Sequence, residues 1–327
     1  MPRSPRTRLT EGGLTKVNNM PRLVVLSLLA LAATFNAAAW DGTGHMIVGQ
    51  IAYDHLNDKA RARVEELAGK LQRHGVPYNA VNINCWADDI KAHDADTPLR
   101  GHFKPWHYID IGCAPGDPDV LANPPTLTAT NGNVVVALSY CVNLIRHHET
   151  NALVPTESVA LALVMHLVGD IHQPLHTTSR YDPATHKEDD AGGNLVTVAN
   201  LAETPWPNLH TFWDSAYRRF YENGEVKAMP PLSEADAPGN PELQAWVKSP
   251  EFSAPKNLDT RFDPKQWALE GHEIACTQVY GTLDEPYGAK EIKLTEAYVK
   301  QGTRTARRQL AVAGYRLAAL LNDLYGR

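Results

Sequence analysis

Residues 166–176 read His166-Leu167-Val168-Gly169-Asp170-Ile171-His172-Gln173-Pro174-Leu175-His176. The stretch ends a helical pattern over 156–172, which opens on Thr156-Glu157-Ser158, a capping signature, and stops before Pro174. His166 and Asp170 are four residues apart, so both leave one face of that helix. Neutral imidazole and carboxylate are the usual zinc ligands outside thiolate sites. Pro174 breaks the helix and lets His176 turn back towards the same centre. His172 has a different phase and is read as a core or supporting residue.

Working outward, the same spacing recurs in His210-Thr211-Phe212-Trp213-Asp214. A third cluster is Trp86-Ala87-Asp88-Asp89-Ile90-Lys91, followed by Trp106-His107-Tyr108-Ile109-Asp110. A fourth is Trp40-Asp41-Gly42-Thr43-Gly44-His45. One His-x-x-x-Asp pair is more often structural than metal-binding. Four such pieces in apolar surroundings point to a metal site. His147, His148 and His186 are read as solvated surface.

Most of the remaining pattern is helical. Residues 57–73 are rich in helix formers. Leu310, Ala313, Leu317, Leu320, Leu321 and Leu324 recur at steps of three and four, one apolar helix face. The strongest strand candidate is Leu195-Val196-Thr197-Val198, after the turn signal Gly192-Gly193. Residues 114–132 and 228–241 read as loops. The expectation is a mainly α, single-domain protein over residues 40–327 with a small β element.

Residues 1–39 read differently. A basic start at Met20-Pro21-Arg22, an apolar run from Leu23 to Leu31, and Ala37-Ala38-Ala39 before Trp40 describe a secretory signal peptide. Met20 is the expected translation start. The apolar run is short for a membrane span, so no stable membrane association is expected. Removing residues 1–39 takes away five basic residues and one acid, moving the formal net charge from −6 to −10. Such a protein is a poor non-specific binder of nucleic acid. If it acts on phosphates, bound metal must supply positive charge. Cys85, Cys113, Cys141 and Cys276 are an even set in an exported chain, which fits two disulfides with three connectivities. The partner of Cys113, whether Cys141 or Cys276, is left open. No Cys-x-x-Cys pair stands in the chain, which argues against a thiolate zinc site.

With these residues in place, the chain from Trp40 to its last helix resembles the S1/P1 nucleases, mostly helical zinc enzymes related in fold to zinc phospholipase C. The resemblance rests on Trp40 with His45, Trp86-Ala87-Asp88, His107-Tyr108-Ile109-Asp110, the whole of His166–His176, Gly192-Gly193-Asn194, and Asn208-Leu209-His210 with Trp213-Asp214. It implies three zinc ions per chain. The first would take Asp88, His107, His166 and Asp170; the second His176, His210 and Asp214. The third would take His45, Asp170 and Trp40, the last through its free amine and carbonyl, so that signal cleavage completes the site. Two close metals activate a water and a third stabilises the leaving oxygen.

The resemblance further implies an exported, secreted or periplasmic, monomeric hydrolase. It would act on single-stranded DNA and RNA, leave 5′-phosphates, and show 3′-nucleotidase activity. Tyr108 and Asp110 resemble the family's base-binding pair, by stacking and by hydrogen bonds to a base edge. Asn194 joins them as a substrate contact. Lys91 stands where the family often carries Arg. It offers a point charge rather than a fork, and joins Asp88 and Asp170 in the expected catalytic set. Two other readings compete. A zinc phospholipase C would be expected to carry Glu at position 214 and a longer gap between Trp40 and its His. A metal-storage protein would carry looser His-rich tracts and no need of Lys91, Tyr108 or Asp110.

Overall fold

The computed structural model describes residues 40–92, 95–202, 204–283, 286–289 and 291–327. The expected signal peptide and the start at Met20 lie outside the described residues. Among them nine α-helices follow in order: Gly42–Asp54 (α1), Asp58–Ala68 (α2), Trp86–Lys91 (α3), Val134–His147 (α4), Glu157–Asp170 (α5), Leu209–Asp214 (α6), Pro241–Val247 (α7), Pro264–Ile274 (α8) and Glu296–Tyr325 (α9). Short polar side chains start them. Asn57, Asn133, Thr156, Asn208 and Asp263 each accept a first-turn backbone N–H, which satisfies a donor the helix itself leaves open.

Strands are short. Gln72–Arg73 (β1) pairs antiparallel with Val76–Pro77 (β2), and Ile111–Gly112 (β3) pairs parallel with Thr178–Ser179 (β4). Thr197–Val198 (β5) pairs parallel with Glu291–Ile292 (β8), and Arg219–Glu222 (β6) forms a hairpin with Glu225–Ala228 (β7).

Helix α5 is the centre. All its residues from Ser158 to Asp170 are buried, and α1, α2, α3, α4 and α9 pack around it. A helix apolar on every face has no solvent side to offer, so it belongs inside a bundle. The long helix α9 closes the bundle against α1, burying Leu310, Ala313, Leu317, Leu320 and Leu321. These are the residues whose periodicity marked that helix.

Three expectations change. The helix over 57–73 ends at Ala68, because Gln72–Arg73 pairs with Val76–Pro77 instead. The strand at 195–198 shortens to two residues. The β6–β7 hairpin was not expected, although Asn223-Gly224, with φ of 51° and 84°, is a turn pair that favours a tight hairpin.

The two expected disulfides reduce to one. Cys113 joins Cys276 across a sequence separation of 163 residues. Cys85 and Cys141 are free and buried. They stand on different elements, just before α3 and within α4, each enclosed by core. Closing so long a loop removes about 5 kcal/mol of unfolded-state entropy. The double replacement Cys113→Ser with Cys276→Ser is therefore expected to lower Tm by roughly 10 °C, measured by calorimetry. An unchanged Tm would show that the cross-link carries no stability.

Candidate metal centre

The C-terminal end of α5 brings His166 and Asp170 into the middle of the protein, one helical turn apart. Around them stand His45 on α1, Asp88 on α3, His107 at the end of a 3₁₀ turn over Lys104–His107, and His176 at the end of another over Pro174–His176. Helix α6 adds His210 and Asp214. Gly169 makes the approach of α1 fit: a Cβ there would stand 3.0 Å from His45 Nδ1.

The separations fit those of ligands around a metal ion. Atoms held 2.0–2.1 Å from a tetrahedral zinc lie about 3.3 Å from one another. Asp170 Oδ2 is 3.2 Å from His166 Nε2 and 2.9 Å from His107 Nδ1, while its Oδ1 is 3.5 Å from His45 Nε2. The two oxygens of Asp170 thus face different partners. His210 Nε2 is 3.5 Å from Asp214 Oδ1. Three groupings of donor atoms result: His45, His166 and Asp170; Asp88, His107 and His166; and His176, His210 and Asp214.

The histidines are oriented from behind. Nδ1 of His166 bonds the Asn84 carbonyl at 2.6 Å, that of His176 the His107 carbonyl at 2.7 Å, and that of His210 the Gly192 carbonyl at 2.7 Å. A carbonyl only accepts, so each Nδ1 donates and each Nε2 is turned inward. His176 Nε2 and His210 Nε2 then face each other at 3.1 Å. A cation between them resolves this contact. Both ring nitrogens of His45, Nε2 of His107 and both oxygens of Asp170 are buried without a hydrogen-bond partner. Such burial costs several kcal/mol per charged group unless an ion offsets it. The residues present therefore fit metal.

The electrostatics agree. Burial pushes His45, His107 and His176 well below the usual histidine range. It also pushes Asp170 up to about 6 and Asp214 well above the carboxylate range. Burial opposes the charged form of His166, but Asp170 and Asp88 outweigh it and raise its pKa. Burial acts likewise on Asp88, where Lys91 and His166 outweigh it and lower its pKa. Burial thus disfavours charge on His45, His107, His176, Asp170 and Asp214, while His166 and Asp88 keep theirs through their partners.

Lys91 is 8% exposed and places Nζ 2.7 Å from Asp88 Oδ1, so it is not a surface lysine. Tyr108 is 39% exposed. Burial pushes Asp110 up to about 7, with Asp189 and Asp190 adding to the shift. Asn194 is partly exposed and gives its side-chain amide to the Ala191 carbonyl. Trp40 is fully buried, and its indole N–H donates to the Gly169 carbonyl at 2.9 Å. His172 is a core residue: Nδ1 bonds the Val168 carbonyl and Nε2 accepts from Arg316. His147 and His148 are exposed. His186, expected in solvent, is instead half-buried and pairs with Asp117 at 2.6 Å.

The supporting roles of several residues escaped the sequence reading. Asn84 acts through its carbonyl, which no side-chain pattern reports. Gln173, inside the motif, donates to Asp214 Oδ1 at 2.7 Å. Gly192 has φ of 59°, and a Cβ there would meet the Leu175 carbonyl at 2.7 Å. That tight passage aims its own carbonyl at His210. A fourth sulfur-bearing grouping, Cys113, His272 and Cys276, is closed to metal because its thiols form the disulfide.

The family model of the S1/P1 nucleases matches residues 40–326. Nuclease S1 of Aspergillus oryzae is 28% identical over 319 residues, 93% of this chain and 98% of that protein. Endonuclease 4 of Arabidopsis thaliana is 26% identical, covering 91% of this chain and 93% of its own. Nuclease P1 of Penicillium citrinum is 25% identical, covering 88% and 98%. A mainly helical fold around three His/Asp groupings, with a match along the whole described chain, defines the class. This chain belongs to the S1/P1 nuclease family, and it is a hydrolase acting on ester bonds.

Proposed function

We propose that the protein is an exported nuclease that holds three zinc ions and cuts phosphodiester bonds in single-stranded DNA and RNA. It leaves 5′-phosphates and also removes 3′-phosphates from nucleotides. The observation that carries the reading is the inward-facing Nε2 pair of His176 and His210, beside an Asp170 whose two oxygens face different histidines. Asp88, His107, His166 and Asp170 would hold one ion; His176, His210 and Asp214 a second; His45, Asp170 and the Trp40 terminus a third. Bound there, zinc lowers the pKa of a water and stabilises charge on the phosphate oxygens.

The chain's own residues do the rest. Lys91, held against Asp88, adds a buried positive charge to an otherwise acidic protein. Tyr108 offers a ring face to a base, and Asp110 beside it can bond a base edge. A base paired and stacked in a duplex cannot reach such a face, which supports a single-stranded substrate. The polar, anchored cluster lies inside the bundle, where a lower dielectric strengthens each contact.

Prolonged chelation is expected to abolish hydrolysis of single-stranded DNA and to lower Tm, because metal binding adds folding free energy. Full activity in metal-free protein would end the reading. Assay against phosphatidylcholine separates it from a phospholipase, and products ending in 3′-phosphate would contradict the proposed bond cleavage.

Zinc loading also has a proton signature. Below about pH 6 metal-free Asp170, its pKa raised to about 6 by burial, keeps a proton that zinc must displace, whereas burial already favours neutral His45, His107 and His176. A carboxyl with a raised folded pKa contributes stability below its unfolded value near 4, lost as pH rises through about 6. The zinc-loaded form has no such loss. The Tm gap between loaded and chelated protein should therefore widen from pH 5 to pH 7, with proton release on titrating zinc at pH 5.5. A gap that narrows over that range would contradict it.

A further inference from the structure

The proposed third ion depends on where the first residues of the mature chain sit, and Asp41 ties them down. Its backbone N–H donates to the Asp214 carbonyl at 3.0 Å, joining the chain start to the ligand helix α6. Its Oδ1 accepts from Gly44 N at 3.1 Å, capping α1 four residues before His45. The same oxygen accepts from the Tyr217 hydroxyl, and Oδ2 accepts from Arg218 Nε at 2.7 Å. Tyr217 and Arg218 lie on a 3₁₀ turn just after α6, and Arg218 also donates to the Met229 carbonyl.

The neighbours leave little slack. A Cβ on Gly44 would come within 2.8 Å of Trp40 Cβ and 3.3 Å of the Tyr217 ring, and Tyr217 meets the Trp40 ring edge-on. The Trp40 indole is held by the Gly169 carbonyl, next to Asp170. Capping alone needs one acceptor, and an Asn serves as well as an Asp. The charge of Asp41 and its pairing with Arg218 exceed that requirement.

We propose that Asp41, Tyr217 and Arg218 form a clamp that positions the Trp40 terminus for the third zinc. Asp41 is a positioning residue: it touches neither ion nor substrate, but fixes the peptide between Trp40 and α1 against α6. The inference rests on the reading of Trp40 as a terminal ligand. The clamp uses only the amide and side chain of Asp41, so it forms whether or not the signal peptide is cleaved. Cleavage then supplies the amine to a place already set.

The test uses protein beginning at Trp40, loaded with zinc and titrated with a competing chelator, with zinc per chain read by mass spectrometry. Asp41→Asn keeps α1 capped and removes the charge; Arg218→Ala breaks the same pair from the other side. Each is expected to release one zinc at roughly 10- to 100-fold lower chelator strength, as for losses behind a metal ligand, while two ions stay bound as in the parent. Three ions held as tightly as in the parent by both variants would overturn the clamp. So would weakening of all three ions together, since that is general loosening. Parent protein carrying Ala39 at its front is run alongside. If it too holds three ions like the Trp40 form, the terminal ligand fails, and the clamp with it. If only the extended form loses an ion, the ligand stands and the clamp alone is wrong.

Discussion

Asp170→Ala is expected to lower turnover on single-stranded DNA by at least about a thousandfold, more than any other single replacement. The reason is its two-sided contact: Oδ2 faces His107 and His166, and Oδ1 faces His45. A bound metal stabilises the transition state by several kcal/mol, and each 1.36 kcal/mol is tenfold in rate. Weakening two ions at once exceeds the loss of a ligand serving one. Stability separates this from misfolding. In chelated protein Asp170 is a fully buried carboxyl pushed up to about 6, so replacing it should leave the metal-free Tm unchanged or higher. A variant with normal zinc content and near-normal rate would remove Asp170 from the centre. A chelated Tm far below the parent's would assign it a structural role instead.

Retaining a single residue, Ala39, ahead of Trp40 is expected to cost on the order of a hundredfold in rate and one zinc ion per chain. A terminal amine can lose a proton and bind metal; the same nitrogen within an amide is a poor ligand. Loss of the proposed third ion would forfeit several kcal/mol of charge stabilisation, with each tenfold in rate worth 1.36 kcal/mol. The Trp40 ring and Asp41 are held by Gly169, Tyr217 and Arg218 through groups unaffected by the extension. The difference should thus lie in metal content rather than in fold, and chelated samples of the two forms should melt together. The comparison needs both forms with their first residue confirmed by mass spectrometry. Equal zinc and equal rates would withdraw the third site.

Two pairs of candidate donors were legible because helical period does the sorting. His166 with Asp170 and His210 with Asp214 are neighbours on a helix face whatever surrounds them. The helix starts were legible for a similar local reason: Asn57 and Thr156 cap the turns that follow them. The β6–β7 hairpin was equally local, and Asn223-Gly224 was the missed sign. Lys91 was not decidable from sequence, because a lysine on a short helix looks the same whether it faces water or Asp88. His186 was misplaced for the same reason, its partner Asp117 lying 69 residues away.

The sequence by itself therefore determined which side chains could bind metal, where the helices after Asn57 and Thr156 begin, and that the long apolar periods build a helical protein. Those properties depend on residue type and on spacings of three or four. Only the tertiary structure decided how the donors divide into groups, which carbonyls orient His166, His176 and His210, and how Asp41 reaches Tyr217 and Arg218. It also decided that Cys113 meets Cys276 while Cys85 and Cys141 stay apart. These contacts join residues far apart in the chain, and half of them use backbone carbonyls. Every residue carries such a carbonyl, so its role leaves no mark in the sequence until packing aims it.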